Sequence, residues 1–229
     1  METSAFLEFV RLVIAGDVDD VSRRLMSDPA LATMTEPIGP TRQDTTGYFF
    51  TEISHYIYKG DTALHMAAAS FSRPIAKLLM SHGADSRARN RLGAEPLHYA
   101  ADGRSESQEQ TEVIEYLLSV GADPNVTDKS GVAPLHRAVR RRSLDAVHAL
   151  LNGGADVRQP NKSGSTPLHL AVQPTGASGS GSDEAREAQA EIIKLLLERG
   201  AKPTDKDAKG KTAEQSATSE WIREILSNG

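Results

Sequence analysis

Seven histidines and one run of three arginines are the side chains of this 229-residue sequence whose chemistry has to be weighed first. Four of the histidines sit in near-copies of one hexapeptide. Thr62–Ala67 reads TALHMA, Glu95–Ala100 reads EPLHYA, Ala133–Ala138 reads APLHRA and Thr166–Ala171 reads TPLHLA. His65, His98, His136 and His169 are therefore 33, 38 and 33 residues apart. A zinc ion needs donors converging at ~2 Å. Histidines carried on stacked units separated by roughly 10 Å cannot meet around one ion. The chain has no cysteine and no H-E-x-x-H helix, so neither a metal site nor a thiolate nucleophile is expected.

Other glycine and serine patterns fail on inspection. Gly210-Lys211-Thr212 resembles the end of a phosphate-binding loop, but Asp205 stands where that loop requires glycine, and no apolar strand precedes it. Gly176, Gly179 and Gly181 do not fit G-x-G-x-x-G, and there is no G-x-S-x-G. Catalysis is not expected, and no cofactor is implied. An enzyme with its site under residues 33–59 is a third reading; it would require a buried cluster of titratable groups there.

Arg140, Arg141 and Arg142 offer a different chemistry. Downstream lies a Gly/Ser-rich stretch, 176–182, in which Ser180 and Ser182 supply hydroxyls and Ser182 reads as a helix N-cap before Asp183 and Glu184. Guanidinium groups beside a helix N-terminus could receive a small anion or a phosphorylated ligand. The simpler expectation is that these arginines pair in solvent with Asp102, Glu106, Glu109, Asp183, Glu184 and Glu187.

Bulk composition narrows the classes. A formal charge of −5, with a quarter of the residues charged, argues against a non-specific binder of nucleic acid or anionic membrane. No apolar run is long enough to span a bilayer, and the first 17 residues carry Glu2 and Glu8 without a basic n-region. With no cysteine either, a cytoplasmic protein is the expectation.

The elements that carry these residues repeat. A glycine (Gly60, Gly93, Gly131, Gly164) precedes each hexapeptide, and proline at 96, 134 and 167 occupies a first helical position. A second helix follows in each unit, with apolar residues at helical spacing, for example Ile75, Leu78 and Leu79, or Val147, Leu150 and Leu151. Gly83, Gly121, Gly154 and Gly200 then close it. One such helix pair cannot bury its apolar face alone and must stack on neighbours.

Period and hexapeptide together resemble the ankyrin-repeat proteins, over residues 60–217. The resemblance implies an all-α solenoid of stacked helix pairs with β-turn fingers, in which threonine and histidine of the motif hydrogen-bond to fix each turn. Glu95 and Ala133 replace that threonine here, so the second and third copies lack the hydroxyl. Thr212–Ala217 is a degraded fifth copy with Glu214 and Gln215 in place of Leu-His, which suits a terminal unit covered by Trp221, Ile222 and Ile225. The expected organisation is an N-terminal capping helix pair (1–32), an aromatic-rich insertion (33–59), four repeats (60–92, 93–130, 131–163, 164–209) and a C-terminal capping repeat (210–229).

Histidine and closing glycine are 18 residues apart in the first and third copies, 23 in the second and 31 in the fourth. The insertions fall between the two helices, at the edge opposite the fingers. Two further features bear on partners. Tyr48, Phe49, Phe50, Tyr56 and Tyr58 are five of the eleven aromatic residues, packed into 11 positions of the 33–59 segment. They either seal the first interface of the stack or present an aromatic contact surface. Arg91, Lys129 and Lys162 lie two residues before their turn glycine, with Lys59 and Lys209 one before theirs, giving basic finger tips that could meet an acidic partner. The sequence thus reads as a non-enzymatic protein–protein interaction scaffold whose partner is another protein, with the anion receptor at Arg140–Arg142 as the alternative.

Overall fold

The computed structural model of the chain describes residues 4–41, 46–103, 107–174 and 182–228. Among them the helices are α1 (Ala5–Ala15), α2 (Val18–Ser27), α3 (Ala63–Ala69), α4 (Arg73–Ser81), α5 (Pro96–Ala100), α6 (Gln108–Ser119), α7 (Pro134–Arg141), α8 (Leu144–Asn152), α9 (Pro167–Ala171), α10 (Asp183–Glu198), α11 (Ala213–Ser216) and α12 (Glu220–Asn228). Strands β1 (Phe49–Phe50) and β2 (His55–Tyr56) form an antiparallel hairpin with Phe49 opposite Tyr56. No helix among the described residues is long and apolar enough to cross a membrane.

The chain divides into two compact units. Unit 1 comprises Met1–Ala100 with Gln108–Asp123, and unit 2 comprises Ala101–Ser107 with Pro124–Gly229. In unit 1 the inner helices α1, α3 and α5 pack in succession, and α4 packs on α6 behind them. In unit 2, α7 packs on α9 and α8 on α10, with α12 against α10. Apolar residues of the outer helices are sealed: Ile75, Leu79, Ile114, Leu117, Val147, Leu150, Ile193 and Leu196 are buried. Each contributes about 1.5–3 kcal/mol by leaving water.

The motif histidines hold turn to helix and helix to the next turn. In the first copy the His65 imidazole accepts from the backbone N–H of Thr62 through Nδ1 (3.1 Å), and the Thr62 hydroxyl donates to the same nitrogen at 2.9 Å. The Nε2 proton is thereby fixed, and Nε2 donates to the carbonyl of Ala94 in the following finger (3.1 Å). His136 reaches Ser165 O and His169 reaches Lys211 O in the same way, each at 3.1 Å. Where threonine is missing, the backbone bond survives: the N–H groups of Glu95 and Ala133 still donate to Nδ1 of His98 and His136 at 3.1 Å. In the degraded copy, Gln215 Oε1 takes the acceptor role toward Thr212 N–H.

Finger turns are built by short side chains. Asn90, Asp128, Asn161 and Asp207 each accept two backbone N–H bonds, from the second and fourth residues after themselves. Residues 33–59, read from sequence as one insertion, prove to have two parts. The first part is another finger. Glu36 Oε1 accepts from the N–H groups of Ile38 and Gly39, the Glu36 carbonyl accepts from Gly60 N–H (2.7 Å), and Thr35 bridges to Thr62. Gly39 has φ 72°, and a Cβ there would overlap the backbone of Tyr58 and Lys59, so only glycine lets these fingers close. The second part is the β1–β2 hairpin, spliced in after that turn.

The two interrupted repeats solve a backbone problem of their own. In the uninterrupted ones the chain turns sharply after the inner helix through a residue with positive φ, Phe71 or Arg142. The next N–H then caps the helix, Ser72 to Ala67 O and Ser143 to Ala138 O. In the interrupted repeats a glutamine of the outer helix takes over. Gln110 Nε2 donates to Ala100 O (2.8 Å) and Gln189 Nε2 to Ala171 O (2.6 Å), and both side chains are buried. Ala67, Ala100, Ala138 and Ala171 all stand two residues after the motif histidine, so one carbonyl is capped in four repeats by two devices.

Two outcomes follow from these bonds. Gln189→Ala orphans a buried carbonyl and is expected to cost about 1–3 kcal/mol, read as a lowered urea midpoint, whereas Gln108→Ala on the exposed face should leave it nearly unchanged. His136 has its pKa held below the usual imidazole value, chiefly by burial. Its unfolded form binds the proton more tightly, so its contribution is intact above pH ~6.5 and falls as the pH drops below that. Urea midpoints measured between pH 7 and pH 5 should fall less steeply for His136→Gln, which keeps both hydrogen-bonding roles without a titrating ring.

Candidate functional site

Unit 1 carries the richest constellation of exposed and sealed groups, and it starts from Asp61. This carboxylate is fully buried. It accepts from Tyr58 N–H (2.6 Å), Asn90 Nδ2 (2.8 Å) and Tyr99 Oη (2.9 Å), tying the first finger to the second finger and to α5. His65 lies 3.8 Å from it, and His55 of β2 stacks on Tyr99 with ring centroids 4.6 Å apart. Asp, His and Tyr together suggest acid–base chemistry, but Asp61 and His65 have no exposed surface and the bonds above consume them. The cluster therefore works as a foundation: it anchors the hairpin and fixes Tyr58. Among the described residues no three His, Asp or Glu side chains come together as metal donors.

Above this foundation the aromatic residues separate by burial. Phe50 is buried with the Arg11 guanidinium over its ring (5.6 Å), and Ile57, directly after β2, is buried as well. Tyr48 is half-buried and its carbonyl accepts from Ile57 N–H. Phe49 is 38% exposed and touches Tyr56 (4.8 Å between centroids), which touches Tyr58 (6.1 Å). Arg91 closes the run with its guanidinium 5.3 Å over the Tyr58 ring and an Nη donating to Pro40 O at 3.4 Å. Of these rings Phe50 is sealed, Phe49 is exposed, and Tyr56 and Tyr58 are half-buried. Sequence reasoning did not single out Ile38 and Leu92, which sit on the tips flanking Tyr58 and Lys59 and are 59% and 41% exposed. The signal was available, because each directly precedes a turn glycine where other copies carry serine or lysine.

In unit 2 the tips Lys129, Lys162 and Lys209 are exposed, and their fingers are joined by bonds from Lys162 N–H to Ser130 O and from Ala208 N–H to Ser163 O. The arginine run is less uniform than its sequence. Arg140 is exposed. Arg141 Nε bonds Asp102 (2.5 Å), whose other oxygen takes Arg137 at 3.4 Å, and Arg137 also reaches Asp128. Arg142, half-buried with its pKa lowered by burial, donates to Gln173 O. Ser182 is spent on capping α10 through Ala185 N–H, and Ser180 lies outside the described residues. The first turn of α10 already holds Asp183 and Glu184, the latter's carboxyl kept low by its own N–H and by the Ser182 hydroxyl. Two of the three guanidinium groups are therefore committed to internal bonds.

Helix pairs repeated behind β-turn fingers, with tip residues that vary from copy to copy, define a repeat protein. The family model for ankyrin repeats, three copies of the unit, matches residues 43–128 and 104–207. These matches run over well more than half of the chain, which belongs to the ankyrin-repeat family, and its fold class is the all-α helix-pair solenoid. Comparison with curated proteins gives no match. Ankyrin repeats are in general modules of protein–protein interaction.

One buried motif residue carries an electrostatic cost. Glu95 replaces the motif threonine and is buried; Arg89 bonds one oxygen (2.9 Å) while the other has no partner among the described residues. Its pKa is raised, by desolvation above all and against the pull of Arg89. The folded state therefore binds this proton more tightly than the unfolded chain, so the carboxylate costs stability at neutral pH and the cost fades as pH falls toward ~4.5. Glu95→Thr removes the charge and adds a hydroxyl beside His98. It should gain about 1 kcal/mol at pH 7, a gain that shrinks in melts recorded near pH 4.

Proposed function

We propose that the chain is a non-enzymatic interaction module that engages a partner protein through the hairpin and finger tips of unit 1. The observation that carries this reading is the continuous run Phe49, Tyr56, Tyr58 and Arg91, each in contact with the next and partly open to water. Aromatic and arginine side chains are the commonest anchors of protein interfaces, because they bury large areas at small cost in side-chain entropy. Preformed ring contacts and the fixed backbone of Tyr58 lower that cost further. The basic tips Lys129, Lys162 and Lys209 extend the same chemistry to unit 2. The competing reading of an anion receptor has Arg140 as the one exposed arginine of the run, which is little for a site that needs convergent donors.

Quantitative affinity purification from the cells that make the protein tests the proposal. Proteins captured by the wild type should be lost from a Phe49→Ser/Tyr56→Ser double variant and kept by Arg140→Glu. Identical captures by all three would remove the hairpin from the interface, and loss on Arg140→Glu alone would favour the arginine edge.

A further inference from the structure

The charge around the aromatic run points to the chemistry of what it receives. The Arg91 guanidinium closes the run over Tyr58, Lys59 stands on the finger tip between Ile38 and Leu92, and Arg11 of α1 lies over the sealed ring of Phe50. None of these three cations forms an ion pair among the described residues, although the chain as a whole is acidic. Among the other described arginines of unit 1, Arg23 faces Asp20, Arg24 faces Glu8, Arg73 faces Glu112 and Arg89 faces Glu95. On the hairpin itself, the described carboxylate is Glu52, at the turn, where Thr51 Oγ1 donates to it. Apolar side chains lie among these cations: Ile38 and Leu92 are the exposed tips beside Lys59, and Phe49 and Tyr56 continue the patch along the hairpin.

The fingers are held together by backbone bonds, which makes the patch one rigid surface. Gly60 N–H donates to Glu36 O and Arg91 N–H to Lys59 O, both at 2.7 Å, so tips 38, 59 and 92 stand on neighbouring turns. Arg91 spans them, reaching from the third of these turns to Pro40 after the first.

We infer that this surface receives an acidic polypeptide segment in which carboxylate side chains alternate with large apolar ones, the carboxylates meeting Arg91 and Lys59 and the apolar groups covering Ile38, Tyr56, Phe49 and Leu92. The inference rests on the interaction reading above and adds the partner's chemistry. A nucleic-acid strand could also supply anions and stacking groups, but the rings of the run already pack on each other and the formal charge of −5 opposes a polyanion.

Selection of a random 12-residue peptide library on the intact chain tests it. The enriched pool should be rich in Asp and Glu together with Leu, Phe or Trp. By fluorescence polarisation its members should bind at least roughly tenfold more weakly to Arg91→Glu, the loss typical of a central anchor, and more weakly as salt is raised from 50 to 500 mM. Phe49→Ala, at an exposed position, provides a second variant with the same expected loss, and coincident melting curves show that both variants fold. An enriched pool that is neutral or basic but still sensitive to Phe49→Ala would overturn the acidic partner while leaving the interaction surface intact. Peptides indifferent to both substitutions, or no enrichment, would remove the surface as well. A labelled dT15 oligonucleotide bound more tightly than any peptide, and released by Arg91→Glu, would replace the polypeptide with a nucleic acid.

Discussion

A neutral imidazole with its proton on Nε2 is the constraint under which the rest of the structure stands. Each repeat is too small to bury a core, so its stability resides in its neighbours. The motif histidine is the one polar group that belongs to both sides of that dependence in His65, His136 and His169. Its Nδ1 takes the N–H that starts its own helix, and its Nε2 holds a carbonyl of the next finger. Either bond alone is worth about 1 kcal/mol. Jointly they fix the tautomer, the ring plane and the spacing between consecutive turns. The last copy shows the same logic from the other direction: Gln215 keeps the acceptor that starts a helix.

Much of this was legible in the residues. The hexapeptides, the closing glycines and the prolines at first helical positions located the helix pairs, because those signals act within a few residues of one another. The finger at Glu36–Gly39 was not legible. Its turn is made by a glutamate, where the other turns use aspartate or asparagine, and the hairpin separates it from the motif it serves. The glutamine caps were hidden for a related reason. Counted forward from the histidine, Gln110 and Gln189 share no position. Counted back from the closing glycine, Ser72, Gln110, Ser143 and Gln189 all fall 11 residues before it. The insertions broke the register in which that alignment becomes visible.

The candidate surface was legible by type and not by arrangement. Clustered aromatics announced that something was packed at residues 48–58, but burial decides which ring seals and which ring shows. Phe50 and Phe49 are adjacent and identical in chemistry; the alternation of a two-residue strand sends one inward and leaves the other 38% exposed. Likewise Arg140, Arg141 and Arg142 looked equivalent until the helix periodicity set Arg141 beside Asp102 and the positive φ at Arg142 turned that residue toward Gln173. Three-dimensional direction, a property no composition carries, sorted both groups.

The glutamine caps bear on how such a chain can change over generations. Because Ala100 and Ala171 are satisfied from the outer helix, those two carbonyls take no bond from an N–H placed by a tight turn directly after the inner helix. Codons added or lost at those two junctions leave the caps of the flanking helices in place. A change of length there that keeps Asp102 and Gln173 leaves the inner helices capped, and an engineer could use it to graft a foreign epitope. At the tight junctions through Phe71 and Arg142, an added residue would pull the capping N–H away from its carbonyl.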